Sequence, residues 1–456
     1  MFDFLSSKDP NRNKHYGRRG ADACAAVLAT LLLLTLTPVL AQQAVSGAEN
    51  GGERSRATRH GSPIIPDSNR ANAGDAGQRA HTNFRYFAPE TASPSEAPPE
   101  SGLGYETPAS LACLYGVVQS IPGCNPNDTT NTPWGGSRTI VIVDAYDDPN
   151  AAADLKAFSE QFGLPFSREK FHVVYASGKI PPEDPTGNWE MEESLDIEYA
   201  HAMAPHATLY LVEANSNNDS DLYPAVQVAS NLVACGRTTA CPPGSRGRGE
   251  VSISWGEDEY AQETSFDSTF TSPGAVYLAA AGDNAGVIYP CASPNVVCAG
   301  GTSTARNEYT GNLIEEIAWS DAGGGVSFYE PIPGYQSGIP AIARQVGVNR
   351  GVPDISADAN PNTGAWVLDT NAVPGAGWWI VGGTSLAAPT VAGIVNAAGH
   401  FAASSTAELT TIYSSQSAGS FNDITYGACG NYSGTFSARG WDLCTGFGSP
   451  KNLGGH

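Results

Sequence analysis

Short apolar runs alternate with helix-like stretches along most of the chain. The apolar runs are rich in β-branched residues and lie at 139–148, 172–176, 207–214, 250–256 and 275–283. A helix-like stretch at 151–163 ends in Gly163, a residue suited to close a helix. Strands that alternate with helices predict an α/β fold with a mostly parallel central sheet of about seven strands and helices on both faces.

The first 41 residues have the features of an export signal. A basic stretch ends at Arg18 and Arg19, an apolar run follows from Val27 to Leu36, and a cleavage site is predicted after Ala41. A retained membrane anchor is the alternative, although the run is short for a span and Pro38 interrupts its end. We therefore expect a secreted protein, extracellular or periplasmic.

Residues 42–102 differ in composition from the rest of the chain. They are rich in Ser, Ala, Gly, Pro, Asn and Glu and have neither helical nor strand periodicity. Such a composition predicts a disordered polar linker or a short pro-segment. The folded domain is accordingly expected to span 103–456.

Nine cysteines occur, and Cys24 lies within the predicted signal. The other eight form four couples that are close in sequence, which favours disulfides between neighbours in an oxidising compartment. Eight cysteines allow 105 connectivities, so other pairings stay open. Zinc is the competing interpretation, and no CxxC couple supports it. The couples are Cys113 with Cys124, Cys235 with Cys241, Cys291 with Cys298, and Cys429 with Cys444.

The charge balance is strongly acidic. Asp and Glu number 46 against 24 Lys and Arg, which gives a formal charge of −22. This balance disfavours a phosphate-backbone partner, and we expect no nucleic acid among the partners. It suits a protein that works in acid and equally an ordinary acidic secreted protein. We also expect a monomer with no stable membrane association once the signal is removed.

The sharpest local pattern is GGTSLAAPTVAGIVNAAG at 382–399. A strand-like run precedes it, and Thr384 and Ser385 then open a helix of small apolar residues, with Pro389 expected in the first turn. Free backbone N–H groups at a helix start favour a developing negative charge, as an acylating serine needs. An ordinary serine helix cap is the alternative.

Carboxyl groups offer the acid and base that such a serine needs. Glu192 and Asp196 are spaced i, i+4 in the helix predicted over 189–205, so both side chains leave the same face. Close carboxyls share a proton and can act as a base in acid, whereas a solvated acidic face is the alternative. Asp283 ends an apolar strand at a glycine-rich turn, either as a turn residue or as a protonated oxyanion donor beside the Ser385 N–H.

The order of these residues resembles the sedolisin family, serine-carboxyl peptidases that are active in acid on a subtilisin-like fold. Glu192 and Asp196 come first, then SISWG, then Asp283, and then GTS with Ser385. No histidine lies in an HGTH-like context, which argues against a neutral subtilisin-type peptidase. The resemblance runs from about Tyr105 to the C-terminus and includes the segments YETPASLACLYGV, VDAYDDPN, AWSDAGGGVSFYEPIPGYQ, RGVPDISADANP and ARGWDLCTGFGSP.

The resemblance implies a role for each motif residue. Ser385 is the implied nucleophile, Glu192 the general base and acid, Asp196 the carboxyl that orients it, and Asp283 the oxyanion donor. Trp255 is either a supporting residue beside them or a plain buried strand aromatic. Asp144 is assigned a structural role.

The family also binds one structural Ca²⁺ near its C-terminus. The implied ligands are Asp423, the Ile424 carbonyl, the Ala438 and Gly440 carbonyls, and Asp442. An all-oxygen shell of this kind suits calcium, and Ala438 stands where the family often has glycine. Plain turn chemistry is the alternative for these loops.

The function implied is a secreted serine-carboxyl endopeptidase that hydrolyses polypeptides at acidic pH through an acyl-enzyme on Ser385. The alternatives are a tripeptidyl-peptidase and a catalytically silent secreted binding protein that kept the fold. One departure stands out: family precursors usually carry a long folded pro-domain, and residues 42–102 are too short and polar to form one.

Overall fold

A central eight-stranded sheet carries the residues of interest in this computed structural model. The structure describes residues 62–72, 74–87, 105–234, 247–307, 309–371, 375, 377–415, 419–430 and 435–456. The predicted export signal and the Cys235–Cys241 couple lie outside these ranges.

The described helices and strands follow one another in the α/β order that the sequence predicts. The helices are α1 (Pro108–Leu114), α2 (Ala151–Phe162), α3 (Asn188–Met203), α4 (Asp219–Ala234), α5 (Gly334–Ser337), α6 (Pro340–Val346), α7 (Thr384–Ala398) and α8 (Ser405–Ser414). The strands are β1 (His81–Thr82), β2 (Arg85–Phe87), β3 (Thr139–Ala145), β4 (Phe171–Tyr175), β5 (Thr208–Ala214), β6 (Gly249–Ile253), β7 (Trp255–Asp258), β8 (Ala275–Ala280), β9 (Ile288–Tyr289), β10 (Val297–Arg306), β11 (Leu313–Ala318), β12 (Gly325–Pro331), β13 (Asn349–Val352), β14 (Ile355–Asp358), β15 (Ala365–Asp369), β16 (Gly377–Gly382), β17 (Phe421–Asn422), β18 (Ala428–Cys429), β19 (Thr435–Phe436) and β20 (Ser449–Pro450).

The sheet is parallel apart from one edge strand. Its order is β11-β10-β8-β6-β3-β5-β4, with β14 also paired to β10. All neighbours run parallel except β11, which is antiparallel to β10. The predicted α/β class with a mostly parallel central sheet is therefore confirmed.

Helices cover both faces of the sheet, as the alternating side chains of β3 show. Ile140 and Ile142 point into one apolar core, which includes residues of α3 and α7. Val141 and Val143 point into a second core on the opposite face, where α4 packs. Side chains alternate between the faces of a strand, so a strand that is buried on both sides becomes a continuous apolar run.

The two helices that carry the candidate catalytic residues pack tightly together. A Cβ atom at Gly393 of α7 would lie 2.6 Å from Met203 Cβ and 2.8 Å from the Ala200 carbonyl oxygen of α3. These distances are shorter than van der Waals contact, so only glycine permits this approach. The spacing of α3 and α7 is therefore set by the absence of a side chain.

The described part of the predicted linker, 62–72 and 74–87, is ordered rather than disordered. It contributes β1, which pairs with β7, and β2, which pairs with β16. Asn69 and Asn83 are buried polar residues, and Phe84 is fully buried in the main core. Contacts with distant parts of the chain order this stretch despite its polar composition.

Three of the four predicted disulfides lie in the described residues, and all three are present. They join Cys113 to Cys124, Cys291 to Cys298 and Cys429 to Cys444. Among the described helices, none is both long enough and apolar enough to cross a membrane.

Truncation of Phe158 is expected to reduce the free energy of unfolding by about 3–5 kcal/mol, because it leaves a cavity in the core. The Phe158 ring is fully buried and lies 4.9 Å from Phe162, 5.8 Å from Tyr199 and 6.1 Å from Trp378 between ring centroids. Denaturant unfolding of Phe158→Ala measures the loss. Phe328→Ala, at a ring that is 82% exposed, serves as the control and should change stability by less than about 0.5 kcal/mol. Equal effects of the two substitutions would contradict this packing.

Candidate active site

Ser385 is the second residue of α7 and is fully buried. The helix follows β16 through Gly383, whose φ of 117° strongly favours glycine. A Cβ at Gly383 would lie 2.2 Å from the Asn83 carbonyl oxygen and 2.7 Å from Asp283 Oδ2. The strand-to-helix turn therefore brings the start of α7 directly against two other chain segments.

Pro389 lies deeper in α7 than its sequence context suggests. It is the sixth helical residue and not part of the first turn. Because proline has no N–H, the carbonyl four residues earlier, that of Ser385, loses its helical partner. The Ser254 hydroxyl oxygen lies 3.4 Å from this carbonyl oxygen, so the proline leaves room for Ser254 at the candidate nucleophile.

Ser254 joins the nucleophile helix to the acidic helix. Its carbonyl accepts a hydrogen bond from the Ser385 hydroxyl at 3.0 Å, and its own hydroxyl donates to Asp196 Oδ1 at 2.8 Å. No role for Ser254 is predicted from the sequence. The available signal was its place in SISWG, directly before Trp255.

Glu192 and Asp196 are both fully buried on α3, as is Asp144 at the end of β3. Burial raises the pKa of Glu192 well above its usual value, and the nearby Asp144 raises it further, while the Ser385 hydroxyl acts in the opposite direction. Burial also raises the pKa of Asp196, again with contributions from Asp144 and Glu192. These carboxyls therefore keep their protons to a higher pH than exposed acids.

Asp144 belongs to this group of acids. Burial raises its pKa to about 8, and neither carboxyl oxygen has a hydrogen-bond partner among the described residues. Its position beside Glu192 and Asp196 gives it an electrostatic influence that the purely structural assignment missed. The sequence signal was its place at the end of a central strand, where active sites of parallel sheets form.

The side chain of Asp283, which follows β8, contacts the first residue of α7 and is also fully buried. Its Oδ1 accepts the Thr384 N–H at 2.8 Å and the Thr384 hydroxyl at 3.0 Å, and its Oδ2 accepts Asn69 Nδ2 at 3.0 Å. Burial raises its pKa to about 6, although the Arg85 guanidinium lowers it in part. Below that pH the carboxyl is mainly protonated and can donate a hydrogen bond.

Trp255 packs under this group. It is buried, and its indole N–H donates to the Val143 carbonyl at 2.7 Å. The hydrogen bond joins β7 to β3, the strand that carries Asp144 next to its last residue. Trp255 is thus a buried strand aromatic, as one of its two interpretations predicts, and its role as a support for the site stays a prediction.

The two loops expected to hold calcium lie together. The Gly440 N–H donates to both Asp423 carboxylate oxygens, at 3.0 and 3.1 Å, and the Ala438 N–H donates to Asp442 Oδ2 at 2.9 Å. Asp442 is buried. No cluster of three or more His, Cys, Asp or Glu side chains suited to a metal occurs in the described ranges. Two carboxylates with backbone carbonyls still form an oxygen-only donor set that suits calcium.

The buried acids make folding stability fall as the pH rises. Burial raises the pKa of Asp144, Asp148 and Glu250 to about 8, far above the value near 4 of an unfolded chain. Between about pH 4 and pH 8 the native state therefore binds more protons than the unfolded state. The stabilisation of the native state by these protons is complete below about pH 4 and is lost as the pH rises through 8. Thermal unfolding across this range should show a falling melting temperature.

Asp144→Asn is expected to weaken that pH dependence. It removes one group that contributes at most about 1.4 kcal/mol per pH unit, so the variant should gain stability relative to the wild type near pH 8 and not near pH 4. Glu160→Gln, at an exposed side chain paired with Lys156, is the control and should keep the wild-type slope. An unchanged slope in Asp144→Asn would contradict the assignment of a buried proton to Asp144.

Comparison with known proteins identifies relatives of this chain. No protein-family model matches. The chain is similar to kumamolisin of Bacillus sp. (strain MN-32), with 32% identity over 302 residues that cover 60% of this chain and 51% of kumamolisin. This chain thus spans about half the length of that relative.

A solved structure has the same architecture. Pseudomonas sedolisin, a serine-carboxyl proteinase in complex with two molecules of pseudo-iodotyrostatin, superimposes with a TM-score of 0.59 and 22% identity over 76% of this chain and 95% of its own. At this identity the likeness establishes the fold. The chain is thus similar in sequence to kumamolisin and shares the fold of Pseudomonas sedolisin.

Proposed function

We propose that this protein is a serine-carboxyl endopeptidase that hydrolyses polypeptides in acid through an acyl-enzyme on Ser385. The observation that carries the proposal is the meeting of a buried serine at a helix start with three buried carboxyls, those of Glu192, Asp196 and Asp283. Acyl transfer in acid requires carboxyl groups with shifted pKa values beside the nucleophile.

Glu192 acts as the general base in this proposal. When the pair holds a single proton and that proton is on Asp196, Glu192 is ionised. The Ser385 hydroxyl then turns from the Ser254 carbonyl to the Glu192 carboxylate, which takes the proton as Oγ attacks a peptide carbonyl carbon. Glu192 then delivers the proton to the leaving amine, and water hydrolyses the acyl-enzyme. Asp196 shares a proton with Glu192 and is held by the Ser254 hydroxyl at 2.8 Å, which supports a role in orienting the pair.

Asp283 and the Ser385 N–H stabilise the oxyanion. A neutral carboxyl donates a hydrogen bond, whereas a carboxylate repels a negative oxygen, so Asp283 must be protonated to take part. A pKa of about 6 supports this role in acid. Such a donor is worth typically 10² to 10³ in rate.

Secretion is part of the proposal. Three disulfides in the described residues are consistent with an oxidising compartment. The predicted export signal at 1–41 supports the same destination.

Ser385→Ala, Glu192→Gln and Asp283→Asn are expected to lower kcat/KM for a peptide substrate at about pH 4 by at least 10². In the wild type, activity should fall as the pH rises through about 6, where Asp283 loses its proton. A pH–rate profile with a quenched fluorescent peptide measures both effects.

Glu198→Gln is the matched control for these substitutions. Glu198 is also a buried acid of α3, but its carboxylate accepts the N–H of Leu368 in β15 at 3.1 Å. It should keep activity within a few fold of the wild type. Full activity in Ser385→Ala would refute the mechanism, and a folded wild type without any hydrolysis would favour a silent binding protein.

We also propose one structural Ca²⁺ held by Asp423, Asp442 and the carbonyls of Ile424, Ala438 and Gly440. The adjacency of the two loops supports this site. A bound calcium would tie both loops together through oxygen ligands.

Calcium is expected to raise the melting temperature of the wild type by several degrees relative to chelator, because a ligand at about 100 times its Kd adds about 2.7 kcal/mol to native stability. Asp423→Ala should lose most of this calcium-dependent increment. The control Asp128→Ala, at another exposed aspartate, should keep it. A wild type whose melting temperature ignores calcium would contradict the site.

A further inference from the structure

Arg85 is a buried cation beside the proposed oxyanion donor. Its Nη2 donates to the Asp283 carbonyl at 2.6 Å, and its side chain is only 9% exposed. Its backbone, in β2, pairs with Gly382 at the end of β16, where the chain turns into α7. The guanidinium is therefore anchored on the very residue whose carboxyl takes part in the proposed chemistry.

Two further groups hold the guanidinium in place. Its Nη1 donates to Asp321 Oδ2 in an ion pair, and its central carbon lies 5.3 Å from the ring centroid of Trp319. Trp319 is buried, whereas the side chain of Asp321 is 28% exposed. The planar guanidinium suits a combination of an ion pair with an aromatic face. Arg85 thus has little freedom to turn its charge away from the site.

The loop that carries Asp321 is docked on the turn that carries Asp283. The Gly323 N–H donates to the Gly282 carbonyl at 2.7 Å. A Cβ at Gly323 would lie 2.2 Å from the Ala281 carbonyl oxygen, so only glycine permits this approach. Backbone contacts therefore fix the cation, its countercharge and the oxyanion carboxyl relative to one another.

Charges of both signs face the Asp283 carboxyl. Arg85 favours its ionised form, as do the hydrogen bonds from Thr384 and Asn69. A negative charge on Glu192 of α3 acts in the opposite direction, because the two carboxyls repel each other when both are ionised. Burial still raises the pKa of Asp283 to about 6. The Arg85 cation thus works against the proton that the oxyanion role requires.

We propose that Arg85 and Asp321 form a charge pair that sets the highest pH at which this peptidase works. The inference rests on the proposed function and assigns two positioning residues to it, both of which act through Asp283. The cation favours loss of the Asp283 proton, and the Asp321 carboxylate offsets part of that effect. The two side chains therefore act in opposite directions, although they are bound to each other.

Opposite shifts of the pH profile test this assignment. The kcat/KM for the quenched fluorescent peptide is measured from about pH 3 to pH 8. Arg85→Gln removes the cation, so Asp283 should keep its proton longer and the upper pH limit should rise by roughly one pH unit. Asp321→Asn leaves the cation without its countercharge, so the limit should fall, by a smaller amount because Asp321 is partly exposed to solvent.

Two further variants separate charge from structure. Arg85→Lys keeps the positive charge and should restore the wild-type upper limit. Arg70→Gln is the matched control, since Arg70 pairs with Asp67 at the surface, where the two side chains are 62% and 77% exposed, and its upper limit should equal that of the wild type. A purely structural role for Arg85 would instead lower kcat/KM by the same factor at every pH. Melting curves establish that each variant is folded, and intact-mass measurement establishes that each assayed chain contains residue 85.

Each outcome decides for or against the inference. Equal upper limits in the wild type, Arg85→Gln and Asp321→Asn overturn it and leave the proposed function standing, and so does a shift of both variants in the same direction. An active wild-type enzyme that no longer contains residue 85 overturns it as well. If Arg85→Gln does not fold, the downward shift of Asp321→Asn relative to Arg70→Gln decides. A folded wild type that hydrolyses no peptide at any pH overturns the proposed function too.

Discussion

The site depends on burying carboxyl groups that keep their protons. An ionised carboxylate without a partner would cost several kcal/mol in this interior, whereas a protonated carboxyl costs far less. Asp144, Glu192 and Asp196 are fully buried together, and burial is the largest cause of the rise in pKa of each. The proton that allows these acids to pack also limits the pH at which they can work. Stability and the proposed chemistry therefore share one requirement, an acidic medium.

Close helix packing turns these buried acids into a site. Gly393 lets α7 approach α3, since any Cβ there would overlap Met203. The Ser385 carbonyl, left without a helical donor by Pro389, then meets the Ser254 hydroxyl, which also holds Asp196. A small residue, a proline and a bridging serine thus hold the acidic helix against Ser385, so that Glu192 and Asp196 stand where the proposed mechanism needs its base. None of the three needs to touch a substrate for the arrangement to form.

Patterns that are local in sequence predicted most of the fold and much of the candidate site. Apolar runs gave the parallel sheet, spacing on one helix brought Glu192 and Asp196 to the same face, and couples of nearby cysteines gave the three described disulfides. The structure of residues 74–87 was not predicted because their partners are far away in the chain: the Asn83 N–H donates to the hydroxyl of Ser385, 302 positions later. The amino-acid composition shows that asparagine is polar, but it does not show which hydrogen-bond partners the fold provides for it. The aromatic residues Phe84, Tyr86 and Phe87 were the local signal of a buried strand.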